Sequence, residues 1–224
     1  KKWKDRGMTL AQFNPQLGVD EKPVKVMFFP STPVGELVFF TRGGAVKRSD
    51  WNDFTNMRGA GSAIILADGD SVINVEVVDD DLNVLEVTKK GLCLIYRVTE
   101  IPVQGRKAAG VRGIKLGDGD SVAFGGQIDD EGEIIVMTDM GYAKRVIAST
   151  IDLGSRYNKG VKIVELDRGV VAYIGSVKMP YDLAVSSGGE THVINTESIR
   201  IDTRTTKGKL TFKTGVSQVV RLPE

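Results

Sequence analysis

Cysteine and histidine are almost missing from this chain, each occurring once, and that scarcity removes whole classes of chemistry. Cys93 has no partner for an internal disulfide, and its place in the apolar run Leu92-Cys93-Leu94-Ile95-Tyr96 marks it as a buried structural residue. His192 stands alone in the strand-like run Thr191-His192-Val193-Ile194, so a zinc site or a Cys–His dyad has little to draw on. Neither a P-loop nor a Gly-x-Ser-x-Gly nucleophile elbow occurs. No apolar run approaches the roughly 18 residues that a membrane helix needs, and none follows the opening Lys1-Lys2-Trp3-Lys4-Asp5-Arg6. Neither a membrane partner nor a signal peptide is expected, and the compartment that fits is reducing and cytoplasmic. Helical spacing is equally scarce: only Ser49–Asn56 and Ser149–Leu153 are expected to hold a turn of helix.

What the chain has in quantity is glycine, 26 of 224 residues, and repetition. Leu66-Ala67-Asp68-Gly69-Asp70-Ser71-Val72 returns 50 residues later as Leu116-Gly117-Asp118-Gly119-Asp120-Ser121-Val122, identical at six of seven positions. A period of this length signals a radial or stacked array of small units. Two glycine markers recur in phase. Gly44, Gly91, Gly141 and Gly189, spaced by 47, 50 and 48 residues, each sit in a turn between two strand-like runs. Gly110, Gly160 and Gly208 each precede an alternating run, and Gly7 and the Gly59/Gly61 pair hold equivalent places. The runs between the markers, such as Glu36–Phe40, Asn83–Val87, Ile134–Thr138 and Asp182–Ser186, are rich in branched and aromatic residues and read as strands.

The spacing divides the chain into units Glu36–Asp79, Asp80–Asp129, Asp130–Pro180 and Tyr181–Glu224. Residues 1–35 read as the second half of an earlier unit, so the chain reads as one domain taken from a longer polypeptide. All-β units of four strands, with no helices to cover a sheet, close best as radially arranged blades.

Net charge is only +1, yet its sign alternates in phase with the repeat. Leu66–Thr88 and Gly117–Asp139 each carry seven acidic residues and no basic one. Between them, Thr88–Leu116 carries seven bases against Glu100, and Met140–Lys162 carries five against Asp152. In a radial array like parts fall at like places, so the bases are expected to gather on one part of the surface. The acidic loops Asp79-Asp80-Asp81 and Asp129-Asp130-Glu131 are expected to point away from it. The Asp-Gly-Asp turns offer too few oxygen ligands for calcium and read as turn-formers.

The unit Lys90–Leu116, with its phrase Glu100-Ile101-Pro102-Val103-Gln104-Gly105-Arg106-Lys107-Ala108-Ala109-Gly110-Val111-Arg112, resembles the C-terminal repeat of the A subunits of DNA gyrase and topoisomerase IV. Gly44–Arg48 and Gly141–Arg145, each Gly, two residues, then Lys-Arg, match the same repeat. The resemblance covers the whole chain and is weakest over Tyr181–Glu224. It implies a β-pinwheel, a propeller-like disc of four-stranded blades that exchange strands with their neighbours. It implies that the outer rim binds and bends duplex DNA without reading sequence and presents it to the cleavage core for strand passage. The implied partners are duplex DNA, the ATPase B subunit, and the N-terminal cleavage core of the same polypeptide. The domain itself would be non-catalytic and need no cofactor, and Tyr96, Tyr142 and Tyr157 would be structural or surface residues. Lys2-Trp3-Lys4-Asp5-Arg6-Gly7 departs from the Gln-Arg-Arg-Gly-Gly-Lys-Gly box of gyrase, and Gln104–Gly110 is only a degenerate copy, which favours topoisomerase IV over gyrase.

Phosphate contacts from Lys and Arg dominate affinity for duplex DNA. The residues expected to make them are Arg42, Lys47, Arg48 and Arg58 in one blade and Arg97, Arg106, Lys107 and Arg112 in the next. Lys144, Arg145, Arg156 and Lys159 follow, then Arg204, Lys207 and Lys209. Two rivals stay open: a protein-binding propeller, although the Trp-Asp signature of WD repeats is absent, and a propeller enzyme with a central polar site, although the acids fall at unit boundaries.

Overall fold

Branched and aromatic runs on either side of a glycine turn build the element that founds each sheet, a tight antiparallel hairpin. The computed structural model describes residues 7–9, 12, 14, 15, 17, 21–28, 33–55 and 61–223. The first unit supplies β1 (Glu36–Thr41), β2 (Ala45–Asp50) and β3 (Val72–Val77). The second supplies β4 (Asn83–Thr88), β5 (Leu92–Arg97), β6 (Val111–Arg112) and β7 (Val122–Ile128). The third supplies β8 (Glu133–Thr138), β9 (Tyr142–Ile147), β10 (Val161–Lys162) and β11 (Val171–Val177), and the fourth β12 (Asp182–Ser187), β13 (Glu190–Asn195), β14 (Lys209–Leu210) and β15 (Gln218–Arg221). Short 3-10 turns follow the hairpins; Trp51–Phe54 and Ala148–Thr150 fall where helical turns were expected. The hairpin turns place Gly44, Gly91 and Gly141 at φ of 81°, 81° and 88°, a conformation that costs glycine nothing.

Sheets and sequence units do not coincide. The strand orders are β3-β1-β2-β6, β10-β5-β4-β7, β11-β8-β9-β14 and β13-β12-β15, all antiparallel. Each of the first three sheets thus takes its outermost strand from the unit that follows: Val111 and Arg112 pair with Val46 and Ala45, Val161 and Lys162 with Cys93 and Leu92, and Lys209 and Leu210 with Ala143 and Tyr142. This is the strand exchange of a pinwheel. The fourth sheet has three strands among the described residues.

Successive sheets face one another, and apolar layers fill the gaps between them. Val38, Phe40 and Val46 of the first sheet pack with Val84, Leu94 and Tyr96 of the second. Leu85, Cys93 and Ile95 meet Ile134, Val136 and Val146 of the third, and Ile135, Met137 and Ala143 meet Leu183 and Val185 of the fourth. Since both faces of the founding strands are covered, they read as continuous apolar runs rather than alternating ones. Burial pushes the Cys93 thiol up to about 12, as befits an inert core residue.

A buried carboxyl interrupts the apolar layers and fastens an exchanged strand. Glu86, on β4, is wholly buried. Its Oε2 accepts from the Tyr96 hydroxyl at 2.8 Å and from the Ile114 N–H at 2.7 Å, just beyond β6. Any side chain at Gly113 would collide with this carboxyl. Burial raises the Glu86 pKa to about 7, with the two hydrogen bonds and Arg156 opposing the shift. A carboxyl raised on folding stabilises the native state fully below its unfolded value and loses that contribution as pH climbs through 7. Unfolding free energy is therefore expected to fall by roughly 3 kcal/mol between pH 4.5 and 8 from this group alone. Urea titrations of Glu86→Gln should lack that slope; an unchanged slope would remove Glu86 as its source.

Candidate nucleic-acid interface

The exchanged strands carry with them the segments that cross from one sheet to the preceding one. Each crossing begins at a buried isoleucine, Ile101, Ile151 or Ile199, and then runs along the outer edge of the preceding hairpin. The N–H groups of Gln104, Gly154 and Asp202 donate to Arg48 O, Ile95 O and Arg145 O at 2.8, 2.8 and 2.9 Å. Neighbouring crossings are also tied to one another. Ile65 N–H donates to Ala108 O, Lys115 N–H to Asn158 O and Glu165 N–H to Thr206 O, at 3.1, 2.9 and 3.0 Å. The result is a continuous outer edge of repeated register.

Eight of the residues expected to contact DNA lie on this edge: Arg106, Lys107, Arg112, Arg156, Lys159, Arg204, Lys207 and Lys209. Arginines 106, 156 and 204 occupy one register position, four residues ahead of Gly110, Gly160 and Gly208. Arg156 Nη1 donates to Arg112 O at 2.6 Å, and Arg204 Nη1 to Lys162 O at 3.2 Å, so both also splice adjacent crossings. Arg112 Nη1 donates to the Tyr157 hydroxyl at 2.7 Å, with its guanidinium 5.4 Å from that ring's centroid. Tyr157 is the one non-glycine with positive φ, 68°, among the described residues. Lys207 pairs with Asp167. Lys107, Lys159 and Lys209 are exposed and enter none of the ion pairs among the described residues.

The structure removes four expected residues from the surface. Lys47 and Lys144 are fully buried. Lys47 Nζ donates to Ala63 O, Gly105 O and Arg106 O at 2.5, 3.0 and 3.3 Å. Lys144 Nζ donates to Thr203 O, Arg204 O and Thr206 O at 2.7, 3.1 and 2.8 Å. Burial lowers the pKa of both, that of Lys144 to about 8. Arg48 and Arg145 are held by Glu36 at 3.1 Å and Glu133 at 2.7 Å, while their Nε atoms donate to Ile101 O and Ile199 O. These Lys-Arg pairs anchor the crossing segments from beneath. Arg42 is exposed in a hairpin turn, and Arg97 is exposed at the end of β5, four residues ahead of Ile101. Arg58 and Lys2–Arg6 of the box-like segment lie outside the described residues.

Lys115 and Lys162 also belong to the crossing segments and were not among the expected contacts; Lys162 is paired with Glu165 at 2.6 Å. For Lys162 the signal is register, since it stands where Arg112 does relative to Gly160 and Gly110; Lys115 has Glu165 at its counterpart position and no such signal. The Asp-Gly-Asp turns clamp the hairpins: Asp70 Oδ1 accepts from Gly43 N–H at 2.7 Å and Asp120 Oδ1 from Lys90 N–H at 3.1 Å. Of the acidic loops, Asp80 approaches Arg48 at 3.8 Å and Asp129 pairs with Lys178 at 2.6 Å. A central hollow of about 340 Å³ lies among β3, β7 and β11, with Tyr181 and Arg221 at its wall. Among the described residues Glu76 is its only lining carboxylate, and it accepts from Asn74 and from Gln127 N–H at 2.8 Å each.

Four successive sheets, three of them with exchanged outer strands, and a cationic outer edge define a pinwheel class of domain. The chain belongs to the family described as DNA gyrase C-terminal domain, beta-propeller, whose model matches residues 35–79, 83–125 and 132–178. It is similar to the A subunit of DNA topoisomerase 4 from Bacillus subtilis (strain 168), at 28% identity over 220 residues, covering 94% of this chain and 27% of that protein. It is also similar to the A subunit of DNA gyrase from Campylobacter fetus, at 27% identity over 248 residues, covering 92% of this chain and 28% of that protein. The chain therefore spans about a quarter of the length of these two relatives. Among solved structures, the C-terminal domain of DNA topoisomerase IV matches with a TM-score of 0.91 at 24% identity, covering 99% of this chain and 72% of the other. The DNA gyrase A C-terminal domain matches with a TM-score of 0.79 at 19% identity, covering 99% and 77%.

Proposed function

We propose that this chain binds duplex DNA along its outer edge, without sequence preference, and bends it. It would act as the non-catalytic C-terminal domain of a type IIA topoisomerase A subunit, of the topoisomerase IV kind, delivering DNA to the cleavage core for strand passage. The observation that supports this reading best is the repeated register of the crossing segments, which puts an arginine at the same place in three consecutive repeats. Phosphates spaced along a duplex are met by cations spaced along a curve, and released counterions supply the free energy. The same contacts offset an elastic bending cost of a few kcal/mol over tens of base pairs. The partners proposed with it are the N-terminal cleavage core and the ATPase B subunit. Residues 1–224 are proposed as one domain, with units 36–79, 80–129, 130–180 and 181–224 as successive blades and 1–35 as part of a preceding one.

Gel-shift titrations with linear duplexes of about 35 and 150 base pairs, at low and moderate salt, test the reading. Salt-sensitive binding that tightens with length is expected, and no binding to either duplex at low salt would overturn it. The second reading, a gyrase domain that wraps DNA for negative supercoiling, is favoured by the similarity to gyrase A subunits. Topological wrapping of relaxed circles would put it ahead.

A further inference from the structure

The crossing segments repeat an aliphatic residue as faithfully as they repeat an arginine. Val103, Leu153 and Ile201 each form a parallel bridge to the preceding sheet, opposite Arg48, Ile95 and Arg145. They remain 48%, 46% and 44% exposed. The residues around them vary: Pro102, Asp152 and Arg200 come before, Gln104, Gly154 and Asp202 after. Exposed aliphatic residues scattered singly are ordinary on a protein surface, but one held at the same exposed register in three consecutive repeats has a common cause. Three positions further along each segment stands Arg106, Arg156 or Arg204. Hollows of about 320 and 520 Å³ open beside Leu153 and Ile201. The first is bordered by Ile151 and Lys159, the second by Ile147 and Arg204. An apolar floor beside a cation suits a ligand that is itself apolar and anionic in alternation, as the sugar–phosphate backbone of DNA is.

Building on the proposed DNA-binding function, we infer that Val103, Leu153 and Ile201 are sugar-contacting positions, each taking the C–H face of a deoxyribose while the neighbouring cation takes its phosphate. Division of labour follows. The cations set the salt dependence of binding, because they release counterions. The aliphatic row supplies a salt-independent part of the affinity through buried apolar surface, and holds the duplex close enough to stay bent. The flanking Asp202 is turned back onto Thr203 N–H at 2.8 Å and leaves the contact to Ile201.

The test compares the wild-type chain with the triple variant Val103→Ser, Leu153→Ser, Ile201→Ser on an end-labelled duplex of about 150 base pairs, reading affinity from 50 to 300 mM salt and bending by fluorescence transfer between the ends. Melting curves confirm that the variant is folded, and each single variant stands in should the triple not fold. The expected result is an affinity loss of about 10-fold or more at every salt concentration, parallel salt slopes and a smaller bend. Wild-type affinity and bending in the variant would overturn the inference while leaving DNA binding intact. A changed salt slope would overturn it too, by moving the effect to the cations. Normal DNA behaviour combined with lost docking to the cleavage core would assign the row to a protein contact instead. Failure of the wild-type chain to bind DNA would defeat the proposed function, and this inference with it.

Discussion

Gly160→Ala is expected to cost this protein about 3 kcal/mol of stability or more, a large share of what a domain of this size possesses. Two causes combine. Gly160 has φ of 75°, where any L residue is strained by roughly 1–2 kcal/mol. Its missing Cβ also points straight at the backbone carbonyl of Cys93, so an added methyl needs the space that carbonyl fills. The clash falls where β10 joins β5, at the pairs Val161–Cys93 and Lys162–Leu92. Relief requires lifting the exchanged strand, and with it the bond from Ile163 N–H to Gly91 O. Gly110 and Gly208 face Val46 O and Ala143 O in the same way. The internal control is Gly105→Ala, in an equivalent crossing, where no atom lies within 4 Å of the added Cβ and no positive φ is imposed. Chemical denaturation should separate the two variants clearly. Near-equal stabilities would mean that the exchanged strands contribute little to holding the sheets together.

The repeat makes the hairpins legible in the residues alone, because Gly91 and Gly141 turn positions recur between apolar runs. It also locates Gly110, Gly160 and Gly208, although their reason, a carbonyl occupying the space of a side chain, is a tertiary fact. Strand exchange is not readable from local pattern: the alternating runs after these glycines mark β6, β10 and β14, two residues each, but not that each pairs with the hairpin of the preceding unit. Charge phase locates the bases along the chain but is silent on which of them are buried. Lys47 and Lys144 look like surface cations beside Arg48 and Arg145, yet β2 and β9 are covered by a crossing segment, and the lysines point beneath it. A clue lies in the register: the middle unit puts Leu94 and Ile95, both buried, where its neighbours put Lys-Arg.

That distinction between buried and rim lysines yields the second large effect. Replacing Lys107, Arg112, Lys159 and Lys209 by Gln is expected to weaken duplex binding on the order of 10³-fold at 0.1 M salt and to flatten the log–log salt slope by about 3–4. Each side chain releases the counterions of one phosphate and contributes about 0.9 to the slope, and little electrostatic binding survives near 1 M salt. None of the four holds a backbone carbonyl through its side chain, so folding should be nearly unaffected. Lys144→Leu should behave in the opposite manner. It copies the natural Leu94 and leaves Thr203 O, Arg204 O and Thr206 O without their donor, costing about 1–3 kcal/mol of stability. Because burial lowers the Lys144 pKa from 10.5 to about 8, the unfolded chain binds more protons between those values, and the wild-type protein gains stability as pH rises through that window. The leucine variant should lose that gain while its folded form binds DNA with wild-type affinity and slope. Were Lys144→Leu to abolish DNA binding without changing stability, the buried lysine would belong to the interface and the outer-edge assignment would fall.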